Sequence, residues 1–113
     1  VRVEVKKEGD VLVVAVEGEL DASTAPELRD KFEELIGRGE NKYVVDLAGV
    51  GFMDSSGISA IVNLFKRVRI GQGDVRLCNL GSEIMKIFEL TRLNRVFDIY
   101  ESRAAAISSY SEE

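Results

Sequence analysis

The sequence predicts an α/β domain on a mixed, mostly parallel sheet of about five strands, with about four helices. Three observations predict it. Short apolar runs alternate with longer segments of helical periodicity, the order that builds parallel crossovers. The first two runs are separated only by the turn signal Gly9-Asp10, so they pair as a hairpin. Polar residues that favour helix starts (Thr24, the Asp54–Ser56 run, Ser82 and Ser102) stand ahead of the helical segments.

In chain order, Val1, Val3 and Val5 alternate with charged residues, as on a half-buried strand. Val11 to Val16 is nearly continuous in apolar residues and reads as a central strand. Gly18 to Ser23 reads as a loop. Thr24-Ala25-Pro26-Glu27 then opens a helix, with Thr24 as cap, Glu27 reaching back and Pro26 tolerated in the first turn. Ala25, Leu28, Phe32, Leu35 and Ile36 form its apolar face, and Gly37 and Gly39 end it.

Tyr43 to Leu47 is a short strand, followed by a loop from Ala48 to Met53. A second amphipathic helix buries Ile58, Ile61, Val62, Phe65 and Val68 and stops at Gly71-Gln72-Gly73-Asp74. Val75 to Cys78 is the next strand. Ser82 caps a third helix with Ile84, Ile87 and Phe88 inside, Val96 to Tyr100 is the last strand, and Ser102 opens a final helix. Residues 1–113 therefore form one domain, with a polar tail expected to fray from about residue 108.

Composition narrows the function. The chain has 113 residues, a net charge of −5, one cysteine and no histidine. An acidic surface disfavours non-specific nucleic-acid binding. One cysteine permits no internal disulfide, and Cys78 reads as a small buried hydrophobe. Without histidine, Ser-His-Asp and Cys-His catalysis and the usual zinc sites are excluded. Ser56 as a nucleophile would need a lysine or carboxylate base, and no lysine lies in its motif, so no enzymatic activity is expected. No cofactor and no metal is expected, since Gly71-Gln72-Gly73 lacks the lysine and helix of a phosphate loop. No apolar run is long enough for a membrane helix, and the alternating start is unlike a secretory signal, so a cytoplasmic location is expected.

The segment Phe52-Met53-Asp54-Ser55-Ser56-Gly57 carries the functional signal. Asp54 or Ser55 can cap the second helix, and capping alone would explain one such residue. A cap leaves Ser56 in the first turn, beside a glycine that offers no side-chain cover, so Ser56 rather than Ser55 reads as the exposed hydroxyl. A phosphate there would sit at the positive end of the helix dipole and leave the fold intact. It would add about two negative charges beside Asp54 and repel a partner packed over that helix end.

Gly18-Glu19-Leu20-Asp21, the Tyr43–Leu47 strand, the Phe52–Ile58 run and the Leu90-Thr91-Arg92-Leu93 turn together resemble the bacterial anti-sigma factor antagonists, single-domain members of the STAS family (sulfate transporter and anti-sigma antagonist). The resemblance covers essentially the whole chain and implies a single STAS-like domain. It implies that the unphosphorylated chain binds an anti-sigma factor that is also a serine kinase, and so frees a sigma factor. The kinase, using ATP and magnesium, phosphorylates Ser56 and the complex dissociates; a serine phosphatase restores the active form. Asp54 and Ser55 match the flanking positions of the motif, and Asp21 matches a position that contacts the kinase. With Gly57 and Ser59, which shares a helix face with Ser56, these residues make up the expected partner-binding surface: Asp21, Asp54, Ser55, Ser56, Gly57 and Ser59. The chain is expected to be a monomer or weak dimer, without nucleic-acid or membrane partners. A STAS scaffold or sensor subunit of a larger signalling assembly is the competing reading.

Other charged residues have simpler readings. Asp21 doubles as a turn residue that sets up the first helix. Lys66, Arg67 and Arg69 suit a helix C-terminus. Asp46 is placed at a strand end, pointing toward the loops.

Overall fold

The computed structural model describes residues 1–111. Its order is β1 (Arg2–Glu8), β2 (Val11–Leu20), α1 (Ala25–Gly37), β3 (Lys42–Met53), α2 (Ser55–Ile70), β4 (Asp74–Cys78), α3 (Ser82–Leu90), a 3-10 turn (Leu93–Arg95), β5 (Asp98–Tyr100) and α4 (Arg103–Tyr110). The five strands form one sheet in the order β1-β2-β3-β4-β5. Only the β1–β2 pair is antiparallel, as the Gly9-Asp10 turn dictates; the other three pairs are parallel. The α/β class and the mixed sheet are thus as the sequence predicts.

Strand alternation divides the interior in two. Leu12, Val14 and Val16 of β2 and Tyr43, Val45 and Leu47 of β3 face α1, α2 and α3 in the main core. Val11, Val13, Val44 and Cys78 point the other way, against Ala106 and Tyr110 of α4. That is why β2 and β3 read as continuous apolar runs: both faces are covered. Phe97 seals the main core edge-on to Phe65 (centroids 4.9 Å apart) and Phe88 (6.1 Å). Such aromatic pairs contribute about 0.5–1.5 kcal/mol each beyond their burial.

Several local expectations are corrected. Ala48 to Met53 is strand, not loop, and Gly18 to Leu20 is still β2: their ladder runs through two irregularities to Leu20 opposite Met53. Gly18 sits at one of these with φ +114°, a conformation that favours glycine. The Thr24 side chain does not cap α1; its hydroxyl donates to the Glu19 carbonyl at 2.6 Å. Ser82 is the first residue of α3 rather than its cap, which is Gly81. The last strand is shorter, because Leu93 to Arg95 coil into the 3-10 turn after Arg92 takes a left-handed conformation. α2 buries Gly57, Ala60, Ile61, Leu64 and Val68, with Ile58, Val62 and Phe65 only partly covered.

The tail does not fray at Ser108. α4 continues to Tyr110, whose hydroxyl donates to the Tyr43 carbonyl at 2.8 Å, and the Arg76 guanidinium lies 3.9 Å from its ring centroid. Residues 112–113, the remainder of that expectation, lie outside the described residues.

Asp46 is also corrected. It lies inside β3, 5% exposed, on the α4 face. Its carboxylate accepts from the Ala48 N–H (3.0 Å), the Asn79 amide (3.0 Å) and Arg103 of α4 (2.9 Å). A strand that ended at Leu47 would have let this side chain reach the loops; the longer strand holds it under α4 instead.

Candidate partner-binding and modification site

The site lies where β2 and β3 end together. The last ladder pair is Leu20 opposite Met53, and the next residues, Asp21 and Asp54, turn into α1 and α2. The Asp54 N–H donates back to the Leu20 carbonyl at 3.0 Å, tying the two exits together. Parallel pairing therefore sets the N-termini of both helices side by side at the carboxyl end of the sheet, a usual place for function in α/β domains.

Asp54 is the cap of α2. Its backbone is extended (φ −107°, ψ −170°) and its carboxylate accepts the Ser56 N–H at 2.8 Å. The Asp54 carbonyl accepts the Ile58 N–H at 3.1 Å, closing the first turn. Ser55 is exposed, whereas Ser56 is half-buried. The expectation that Ser56 is the more exposed hydroxyl is corrected: as the second helical residue it turns partly against the protein.

Gly57 is buried, and its role here is close packing. A Cβ at this position would stand 2.7 Å from Leu20 Cβ and 2.8 Å from Met53 Cγ. Only glycine lets α2 settle onto the ends of β2 and β3, so it determines where Ser56 lies without offering a side chain to a partner. Gly57→Ala is expected to destabilise the fold by about 2 kcal/mol, the usual cost of overpacking. Urea unfolding checks this, and an unchanged midpoint would show that α2 shifts freely.

Asp21 organises the start of α1. Its Oδ1 accepts from the Ser23 N–H (2.9 Å), the Ser23 hydroxyl (2.7 Å) and the Thr24 N–H (3.1 Å). The Asp21 N–H donates in turn to Thr24 Oγ1 at 2.9 Å. The Ser23 hydroxyl bond, followed by the backbone bonds, holds the Asp21 carboxyl below its ordinary pKa, so it is a fixed negative charge at the surface. The turn role is thus built into the loop, and Oδ2 takes none of these bonds.

Ser59 is exposed, one turn along α2, in a groove of about 250 Å³ between α1 and α2 that Arg29, Val62, Asn63 and Lys66 also line. The basic cluster predicted late in α2 splits in function. Arg67 binds both oxygens of Glu33 across the helix pair (2.7 and 2.6 Å), Arg69 lies 5.6 Å from the Phe65 centroid, and Lys66 turns into the groove. A larger concavity of about 610 Å³ lies elsewhere, lined by Asn79, Ser82, Met85 and Tyr100, and holds none of the predicted site residues.

Sequence reasoning gave Phe52 no contact role. It is 49% exposed at the end of β3, two residues before the cap. Strand parity alone would turn it inward with Val50; the irregularity between Val50 and Phe52 reverses the alternation, so that Met53 is buried and Phe52 exposed.

The sequence profile of the STAS domain family matches residues 2–106. The anti-sigma-B factor antagonist of Bacillus subtilis (strain 168) is 33% identical over 99 residues, covering 88% of this chain and 90% of that protein. A crystal structure of a Thermotoga maritima protein, provisionally assigned as an anti-sigma factor antagonist, superimposes with TM-score 0.90 at 26% identity, over 95% of this chain and 92% of that one. The Bacillus cell fate determinant SpoIIAA in its phosphorylated form has the same fold, with TM-score 0.76 at 21% identity over 96% and 99% of the two chains. With a family match across nearly its whole length and a curated relative above 30% identity, the chain belongs to the STAS domain family and is a relative of its anti-sigma factor antagonists.

Proposed function

We propose that this protein is an anti-sigma factor antagonist switched by phosphorylation of Ser56. In the bare form, the surface around Asp21, Phe52, Asp54, Ser55, Ser56 and Ser59 binds an anti-sigma factor that is also a serine kinase, and a sigma factor is released. The kinase transfers the γ-phosphoryl group of ATP to Ser56 Oγ, ADP leaves, and the hydroxyl proton is lost. A serine phosphatase then hydrolyses the phosphoester with water and returns the bare form.

One observation carries the reading: the Asp54 carboxylate already holds the N–H of Ser56 itself. A phosphate on Ser56 therefore cannot be absorbed by that N–H without displacing Asp54. It adds its charge to an existing carboxylate at the surface, where a partner feels both. The names of the relatives support the antagonist role, and the motif position, rather than exposure, selects Ser56 over Ser55.

Ser56→Ala is expected to abolish phosphorylation and leave partner binding within about two-fold, because a half-buried hydroxyl at a rim adds little affinity. Incubation with the cognate kinase, ATP and magnesium, followed by peptide mass spectrometry, reads the first outcome. Phosphate recovered on Ser55 or Ser59, with Ser56 unmodified, would overturn the assignment.

A further inference from the structure

The groove between α1 and α2 is lined by two cations and no carboxylate, in a chain of net negative charge. The chain carries 20 acidic and 15 basic residues. Arg29 and Lys66 nevertheless face one groove, and neither has an ion pair or hydrogen bond among the described residues. The nearby carboxylates are engaged elsewhere: Glu33 with Arg67, and Glu34 with Lys31 and Arg38. Asp30 adjoins Arg29 in sequence, but neighbours i and i+1 on a helix do not face each other.

We propose that this groove receives a carboxylate side chain of the anti-sigma partner, with Arg29 and Lys66 as its cationic walls and Ser59 and Asn63 as hydrogen-bond donors. The inference rests on the antagonist reading and adds the chemistry of the contact. The groove is continuous with the modified helix end: Ser59 lies three residues from Ser56, about 4.5 Å along the axis. A partner docked over the start of α2 reaches the groove with its next side chain. Charge complementarity selects the occupant. Two unpaired cations flanking two neutral donors match a carboxylate, whereas an apolar side chain there would leave both cations and both donors without partners. The arrangement also gives the surface a polarity. Asp21 and Asp54 present negative charge at the carboxyl end of the sheet and the groove presents positive charge one turn away, so a partner must show the opposite order. That suits registry and choice of partner.

The test is binding of the cognate anti-sigma factor to the full chain, read by calorimetry at about 50 and about 200 mM salt, since exposed charges are screened over that range. The double variant R29Q/K66Q is expected to bind about 10-fold more weakly at low salt and to show a shallower salt dependence than the parent, the part that remains belonging to Asp21 and Asp54. S59A is expected to lose about three-fold. Arg2→Gln, on the opposite side of the sheet, serves as a control with unchanged affinity. Both groove cations are surface residues, so circular dichroism is expected to stay native; should the double variant unfold, R29Q and K66Q singly make the same comparison. Wild-type affinity and salt slope in the groove variants would overturn the inference while leaving the antagonist reading standing. Failure of the unchanged bare protein to bind an anti-sigma factor would overturn both.

Discussion

Ser56→Asp is expected to weaken binding of the anti-sigma partner by at least about 100-fold with the fold unchanged. The loss corresponds to about 2.7 kcal/mol. It arises because the new carboxylate stands beside Asp54 at a helix end the partner must cover, and uncompensated like charges at an interface cost several kcal/mol. Stability moves little. A negative charge in the first turn of α2 gains up to about 1 kcal/mol from the helix dipole and loses a similar amount to Asp54. Thermal unfolding and far-ultraviolet circular dichroism therefore report a native protein, while calorimetric titration reports a failed complex. Ser55→Asp makes the comparison sharper. Ser55 is the more exposed residue, so a partner that excluded charge anywhere on this surface would reject it equally. A position-specific switch loses less at Ser55 than at Ser56. Equal affinity of the bare and Ser56→Asp proteins would sink the switch.

The same residues show why the site was partly legible from sequence. Asp54-Ser55-Ser56-Gly57 announces a helix start through residue types that cap, and the cap forms as expected. Which hydroxyl is exposed could not be read, because it depends on how α2 rotates against Leu20 and Met53, and Gly57 determines that through a contact distant in sequence. The strand errors have a related cause. Ala48, Gly49 and Gly51 look like a loop because they carry no large side chains, yet the strand stays paired around them: Gly49 lies opposite Glu17, Val50 opposite Gly18 and Phe52 opposite Glu19, with Ala48 and Gly51 at the two irregularities. Ladder bonds need no side chains, so composition is blind to them. The groove between α1 and α2 is not legible in the sequence, where Lys66 reads only as a helix-terminal cation and Arg29 carries no signal: the two lie 37 positions apart in the sequence numbering, and only the packing of α1 on α2 brings them together.

The second large effect is expected at Asp46, away from the partner surface. Removing its carboxylate by Asp46→Ala leaves the Ala48 N–H, the Asn79 amide and Arg103 without their acceptor. A donor orphaned in the interior costs about 1–3 kcal/mol, but these three are at most partly covered and water can reach them, and losing the charge adds a discounted amount because Arg103 is 42% exposed. A total of about 2 kcal/mol, or a urea midpoint lower by about 1 M, is expected. Because Arg103 opens α4, the loss falls first on the packing of α4 against the second core. Hydrogen exchange in α4 should accelerate before exchange in β2 and β3. The pH dependence has a definite sign. Burial alone would raise the Asp46 pKa, but the bonds from Ala48, Asn79 and Arg103 outweigh it and hold the folded-state value below the ordinary one. A lowered folded-state pKa means the unfolded chain takes up the proton first as pH falls. The stabilisation is therefore present above the unfolded-state value of about 4 and is lost as pH drops toward the folded-state value. Asp46→Asn removes this titration, so its stability should fall less steeply than the parent's as pH drops below about 4 while starting lower at pH 7. It should bind the partner as the parent does, since Asp46 lies on the α4 face of the sheet, seven residues before β3 ends at Met53. A variant with the parent's acid slope would show that other carboxylates (Asp10, Asp21 and Glu34, all likewise held low) carry the acid sensitivity and that the clamp on α4 contributes none of it.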